Sequence, residues 1–380
     1  MRKQIILFAI SFLIMNISIA QPARSATGNY KEGIRLKDEK KYAEAIALFK
    51  KTIAAQPTNK EALFEAGWCS NELEKYQDAI SFLQKAKSLW PNESKVYFEI
   101  GYAYQQLEKP EEAKKNYTRC LSLNKEYALA YKSLGNLFFD QRDYTAALEN
   151  YKAYISYTKD DISSSDFYYN KGYAENDLEK YTDAIESLNK SIELKNDVPR
   201  SFDELAYAYY KQDDADNAIK YYNSSIALKA DGYVPYIGLG DVYKDLKKDN
   251  DEALKNYLKA IENKPENEKS QYNIGWCYNE KEQYNEAIPY LKKAILINKD
   301  YLKANRELGY SYYALGEYSN AQALFNKTIS LDKKDELSFY YSGLCYVEMK
   351  DKTAALKMYD SLQELQSTYA DKLKTKIDSM

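Results

Sequence analysis

The sequence predicts an all-α solenoid, one two-helix unit copied ten times. Two observations carry this. Alanines recur at Ala45, Ala79, Ala113, Ala147, Ala184, Ala218, Ala253, Ala287, Ala321 and Ala355, at gaps of 34 residues except for one of 37 and one of 35. Twelve residues ahead runs a second ladder: Gly33, Gly67, Gly101, Gly135, Gly172, Ala206, Gly240, Gly275, Gly309 and Gly343. A locked period of this length means stacked supersecondary units. Such a chain is built to bind.

The N-terminus comes first. Arg2 and Lys3 precede an apolar run from Ile5 to Ile19, and Ser18 and Ala20 put small residues before Gln21. Residues 1–20 read as a cleaved secretory signal. The alternative is an uncleaved anchor, but the run is shorter than the ~20 residues of a spanning helix. No later segment is apolar enough to span a bilayer. The expected location is therefore exported, periplasmic or secreted, in a chain whose Lys, Asn, Tyr and Ile usage looks bacterial.

One repeat explains the rest. In 94–127, Val96, Tyr97, Ile100, Gly101 and Tyr104 recur at helical spacing. Leu107 to Pro110 breaks the pattern. Pro110 suits a first helical turn, and Glu111 and Glu112 suit the positive end of the helix dipole. Ala113, Tyr117, Cys120 and Leu121 line one face of a second helix. Small residues are needed where two helices cross closely. A bulky one there would cost roughly 1–3 kcal/mol. Each helix alone is too short to be stable, so pairs bury their apolar faces on their neighbours.

By phase, repeats 1–4 occupy 26–161 and repeats 5–10 occupy 165–369. Three extra residues fall in the polar link Lys159 to Ser164, either a longer surface loop or a slight kink. One more falls in Lys247 to Asp251, expected in the turn between helices. The tail from Ser367 to Met380 carries Tyr369, Leu373 and Ile377 and reads as a closing helix, ending in 370–380.

These residues resemble the tetratricopeptide repeat. The first repeat reads Gly33, Leu36, Ala45, Phe49 and Pro57; the seventh reads Gly240, Tyr243, Ala253, Tyr257, Ala260 and Pro265. The resemblance covers about 26–369. It implies a right-handed superhelix whose first helices line a concave groove.

Composition narrows the chemistry. Histidine is absent, which excludes Ser-His-Asp and Cys-His catalysis and His-based zinc sites. Cys69, Cys277 and Cys345 each fall two residues after a ladder glycine, a structural slot facing the interior. No phosphate loop is present: Gly238-Leu239-Gly240 lacks a third glycine. Asp213, Asp214 and Asp216 lack the glycine and distal Glu of a calcium loop. No cofactor and no metal are expected. Without residues 1–20 the chain keeps 52 of its 54 Lys+Arg against 57 Asp+Glu, a mildly acidic surface without the basic stripe nucleic acid requires.

In the resembling family the residues three before and one after each ladder position point into the groove, at i and i+4. Here they are Tyr30, Phe64, Trp68, Phe98, Tyr102, Tyr169, Tyr173, Tyr207, Tyr272, Trp276, Tyr310 and Tyr340, with Tyr210 and Tyr313 one turn later. Tyrosine and tryptophan suit binding faces that are aromatic yet wet. A second constellation, Lys132, Asn136, Asn170 and Arg200, occupies slots with which some members of the family grip a partner's C-terminal carboxylate. Two departures weaken it: Glu204 stands where a basic residue is usual, and the three-residue link separates Asn136 from Asn170. The expected function is a non-enzymatic scaffold binding a protein or extended peptide. The alternative is a carbohydrate or cell-envelope polymer module, because the same rings stack on sugars.

Overall fold

The computed structural model describes residues 25–158 and 162–380; the signal segment 1–20 and residues 159–161 of the polar link lie outside the described residues. The chain divides into two compact units, Met1–Glu179 and Lys180–Met380. The division falls one helix later than the polar link.

Among the described residues only helices and their connections occur. The first unit holds the pairs α1 (25–38) and α2 (Tyr42–Ala55), α3 (Lys60–Glu72) and α4 (Tyr76–Leu89), α5 (Ser94–Gln106) and α6 (Pro110–Leu123), α7 (Ala128–Asp140) and α8 (Tyr144–Tyr157), then α9 (Ser165–Asp177). The second holds α10 (Tyr181–Leu194), the pair α11 (Pro199–Lys211) and α12 (Ala215–Leu228), and α13 (Tyr233–Val242) with α14 (Asn250–Asn263). Three more pairs follow: α15 (Glu268–Glu280) and α16 (Tyr284–Ile297), α17 (Leu302–Ala314) and α18 (Tyr318–Leu331), α19 (Glu336–Glu348) and α20 (Lys352–Glu364). Helix α21 (Tyr369–Asp378) closes the chain.

Every alanine of the first ladder is fully buried. The glycines meet something larger than an alanine. A Cβ on Gly33, Gly101, Gly135, Gly240 or Gly309 would lie 2.4–2.8 Å from the ring of Phe49, Tyr117, Tyr151, Tyr257 or Phe325; on Gly67 and Gly275 it would strike Leu83 and Leu291. These neighbours lie four residues after each ladder alanine. The close approach is thus helix backbone against a flat ring or a leucine, with the alanine one turn away.

Each helix pair turns through one left-handed residue: Lys40, Glu74, Glu108, Arg142, Asp213, Lys248, Glu282, Gly316 and Lys350 have φ between 55° and 78°. The next amide reaches back to close the helix, as in Lys75 N to Ser70 O at 2.8 Å and Gln283 N to Tyr278 O at 2.9 Å.

The seventh repeat's extra residue is not absorbed in the turn, as expected, but in the helix before it. Tyr243–Lys247 forms a π-helical turn, and the closing amide, Asp249 N, reaches Tyr243 O at 2.9 Å. A wider turn takes up one residue without breaking the hydrogen-bond ladder.

The last pair is finished by α21. Leu373 and Ile377 are fully buried, and a Cβ on Gly343 would meet Leu373 at 2.4 Å. The closing helix supplies the side chain that a second helix supplies elsewhere. All four cysteines are buried and free, and burial pushes each thiol up to about 12.

Candidate functional site

The ladder fixes which side chains share a face. In five repeats the residue one after the ladder position rests against the first tyrosine of the preceding second helix: Trp68 on Tyr42 at 5.7 Å, Tyr102 on Tyr76 at 6.3 Å and Tyr173 on Tyr144 at 5.8 Å in the first unit. In the second, Tyr207 meets Tyr181 at 6.4 Å and Tyr310 meets Tyr284 at 5.9 Å. Four of these contacts are edge-on, the preferred geometry of aromatic pairs. This supporting tyrosine row was missed by sequence reasoning. Its signal is a tyrosine three residues before a ladder alanine.

The residues three before the glycine sit deeper. Phe98 packs on Tyr127 at 5.0 Å, and Tyr272 on Tyr301 at 5.3 Å. Phe64 is buried, with the Lys95 ammonium 4.6 Å above its ring. It lines no open face, contrary to expectation, because the next pair covers it. Tyr30 lies on Phe49 at 5.9 Å, and Tyr169 lies 6.2 Å from Tyr173. In the second unit Tyr207 is 38% exposed. Tyr313 contacts Tyr318 and Tyr341, and Tyr341 also touches Tyr310 and Tyr340. Tyr310, Tyr313 and Tyr340 therefore form one aromatic patch.

Buried core tyrosines send their hydroxyls to this face. Tyr117 donates to Gln105 Oε1 at 2.7 Å, Tyr151 to Asn136 Oδ1 at 2.9 Å and Tyr257 to Asp241 Oδ1 at 2.7 Å. The π-helical turn brings Asp245 to the Tyr210 hydroxyl, which donates at 2.6 Å.

Three residues of the carboxylate-grip constellation are otherwise engaged, and the fourth belongs to the other unit. Asn136 accepts from Tyr151, and Asn170 hydrogen-bonds the same hydroxyl. Lys132 lies 5.8 Å over the Tyr154 ring. Arg200 is exposed and belongs to the other unit, with Glu204.

Carboxylates on the first helices carry perturbed acidities. Burial, with Glu72 and Glu65 nearby, pushes Glu99 up to about 7 against the lowering effect of Asn71. Burial raises Glu307 in the same way, opposed by Asn279 and Arg306. Asp203 is pushed up to about 6 by burial. Among the described residues no group of three or more His, Cys, Asp or Glu is placed to hold a metal, and no helix is long and apolar enough to cross a membrane.

Comparison with known proteins matches this architecture. Tetratricopeptide-repeat models match residues 30–94, 94–127, 165–198, 199–231, 235–267, 268–301, 303–335 and 337–367. A TPR repeat-containing protein of Methanocaldococcus jannaschii is 30% identical over 233 residues, 54% of this chain and 38% of that protein. The chain thus spans well under half the length of this relative. The solved structure of Pseudomonas aeruginosa PilF is similar with a TM-score of 0.51 at 17% identity, covering 56% of this chain and 97% of that one. YrrB, described as a TPR protein with an unusual peptide-binding site, gives 0.46 at 24% identity over 50% of this chain and 99% of its own. At 17% identity the likeness to PilF speaks to the fold alone. The family matches cover most of the chain, and they fall on the pairs that the two small-residue ladders lock together: the chain belongs to the tetratricopeptide-repeat family.

Proposed function

We propose that the protein is a non-enzymatic scaffold that binds an extended peptide or protein segment along the first-helix face of its repeats. The observation that carries this is the set of aromatic side chains one after the ladder position, Trp68, Tyr102, Tyr173, Tyr207 and Tyr310, each propped by a tyrosine that opens the preceding second helix. Rings fixed this way offer apolar area with little entropy left to lose on binding. Proteins captured on the full chain, identified by mass spectrometry, should be lost with Tyr207→Ala and Tyr310→Ala at unchanged helicity. Retention of the same proteins by both variants overturns the groove assignment.

Sugar stacking is the second reading, favoured by two indoles, Trp68 and Trp276, each followed one turn along its helix by an amide and a carboxylate, Asn71 and Glu72 on α3 and Asn279 and Glu280 on α15. A glycan array with Trp276→Ala separates the two: saturable sugar binding lost in the variant supports it. We further propose export, on the strength of Arg2, Lys3, the apolar run from Ile5 to Ile19 and the small residues Ser18 and Ala20. N-terminal sequencing of the secreted or periplasmic fraction should begin at Gln21.

A further inference from the structure

Each unit carries the same constellation of side chains, 208 residues apart in sequence. The first copy is Trp68, Asn71 and Glu72 on α3, Tyr76 opening α4, and Glu99 and Tyr102 on α5. The second is Trp276, Asn279 and Glu280 on α15, Tyr284 opening α16, and Glu307 and Tyr310 on α17. Each set recurs at i, i+3 and i+4 on one first helix and at i, i+3 on the next, so its members share a face. Other repeats do not need these residues to fold.

The geometry is the same in both. Asn71 donates to Glu99 Oε2 at 2.8 Å and to its carbonyl at 3.1 Å; Asn279 donates to Glu307 Oε2 and to its carbonyl, both at 3.1 Å. Tyr102 meets Tyr76, and Tyr310 meets Tyr284, edge-on. Glu72 and Glu280 are exposed, and neither makes an ion pair among the described residues. Each ends its helix, where a carboxylate faces the negative end of the dipole. Local stability disfavours that choice, yet it is made in both copies.

The indole of each site carries an ammonium of the chain itself, paired with a carboxylate outside the site, so that Glu72, Glu99, Glu280 and Glu307 are left without one among the described residues. Lys37 lies 5.2 Å over Trp68, bonded to Glu65 at 2.8 Å; Lys244, on the π-helical turn, lies 5.5 Å over Trp276 and 3.5 Å from Asp245. The chain itself thus displays a cation gripped between an indole face and a carboxylate. In the first copy Asn71 is 2% exposed and its Oδ1 has no donor among the described residues; in the second, Ser311 Oγ donates to Asn279 at 2.7 Å. Burial and neighbouring carboxylates raise the Glu99 carboxyl, which an approaching cation would relieve.

Resting on the groove reading above, we propose that each unit presents one copy of a receptor for a lysine or arginine side chain, formed by Trp68, Glu72, Glu99 and Tyr102 and again by Trp276, Glu280, Glu307 and Tyr310, so that the partner is a cationic extended segment. Aromatic faces and carboxylates together select a desolvated cation, and the carboxylates repel an acidic tail.

The test uses the full chain and three fluorescein-labelled ten-residue peptides alternating serine with lysine, glutamine or glutamate. The lysine peptide should bind at two per chain, and more weakly at 0.5 M than at 0.15 M salt. The glutamine peptide should bind about tenfold more weakly, and the glutamate peptide not at all. Glu72→Gln or Glu280→Gln should each reduce the stoichiometry to one without lowering Tm. The same charge change at exposed Glu149 on α8 should leave binding unchanged. Equal binding of all three peptides overturns the cation preference but leaves the groove. An equal effect of Glu149→Gln reduces the attraction to a general acidic field and overturns the receptor. Chitohexaose binding that Trp276→Ala abolishes, with no peptide bound, overturns receptor and peptide groove together.

Discussion

At the scale of residues, the absence of histidine makes the titration of this protein unusually simple. Between pH 5 and 8 the raised carboxyls change charge, chiefly Glu99 at about 7 and Asp203 at about 6, alongside the α-amino group. Both are acids whose folded pKa exceeds the unfolded one, so the native state binds more protons than the unfolded chain in this window. Stability must then fall as pH rises through 6 to 7, and recover on acidification toward the unfolded carboxylate range. Tm should be higher at pH 5.5 than at pH 8, and Glu99→Gln should shrink the difference; a Tm flat across this range contradicts the assignment. Tyr207 and Tyr210 differ in the same spirit. Tyr207→Ala removes an exposed ring, whereas Tyr210→Ala also breaks the hydrogen bond to Asp245 and should cost about 1 kcal/mol. Thermal denaturation of the two variants gives the stability loss against which any loss of binding is read, and the larger loss is expected for Tyr210→Ala.

Helix pairs obey a different arithmetic, because what matters there is backbone approach. Gly240→Ala would drive a methyl to 2.4 Å from the Tyr257 ring, which is fully buried and tied to Asp241. Neither ring nor helix can move far, so the substitution should cost about 1–3 kcal/mol. Gly28→Ala, with nothing within 4 Å, should stabilise α1 by up to about 1 kcal/mol through helix propensity. Chemical denaturation of the two variants should thus give opposite signs. The turns offer a complementary test. Lys350 holds φ at 62°, a conformation costing a side-chain-bearing residue roughly 1–2 kcal/mol. Lys350→Gly should raise Tm, since relief of that strain exceeds the extra chain entropy of glycine. The left-handed residue of each turn was not legible in the sequence, because only Gly316 marks one with a glycine. The others take Lys, Glu, Arg or Asp, since the backward hydrogen bonds of the turn compel the conformation whatever the side chain. The π-helical turn at Tyr243–Lys247 was hidden for a related reason: the count of residues revealed an insertion but not where the backbone would widen.

At the scale of a whole unit, stability passes from neighbour to neighbour along the helix pairs, and the ends are its weak points. Helix α21 buries Leu373 and Ile377 against α19 and covers Gly343. Truncation after Thr368 should therefore leave an apolar face on the last pair. Hydrogen exchange should rise in α19 and α20 while α11 and α12 keep their protection; uniform loss through the second unit would mean that it folds as one block. The sequence alone determined the register of the helix pairs, because only hydrogen or methyl fits where helices cross and such residues cannot drift from their period. A fixed phase also places the aromatic residues of the first helices along one side of each helix. The sequence did not reveal that Phe64 would be covered, that Asn136 and Asn170 would both turn to Tyr151, or that Trp68 and Trp276 would each lie under a lysine from the preceding repeat. Those outcomes depend on how one pair seats on the next. Periodicity specifies the direction of a side chain along its own helix; only the packed neighbour decides whether that side chain meets solvent, a hydroxyl or a charge.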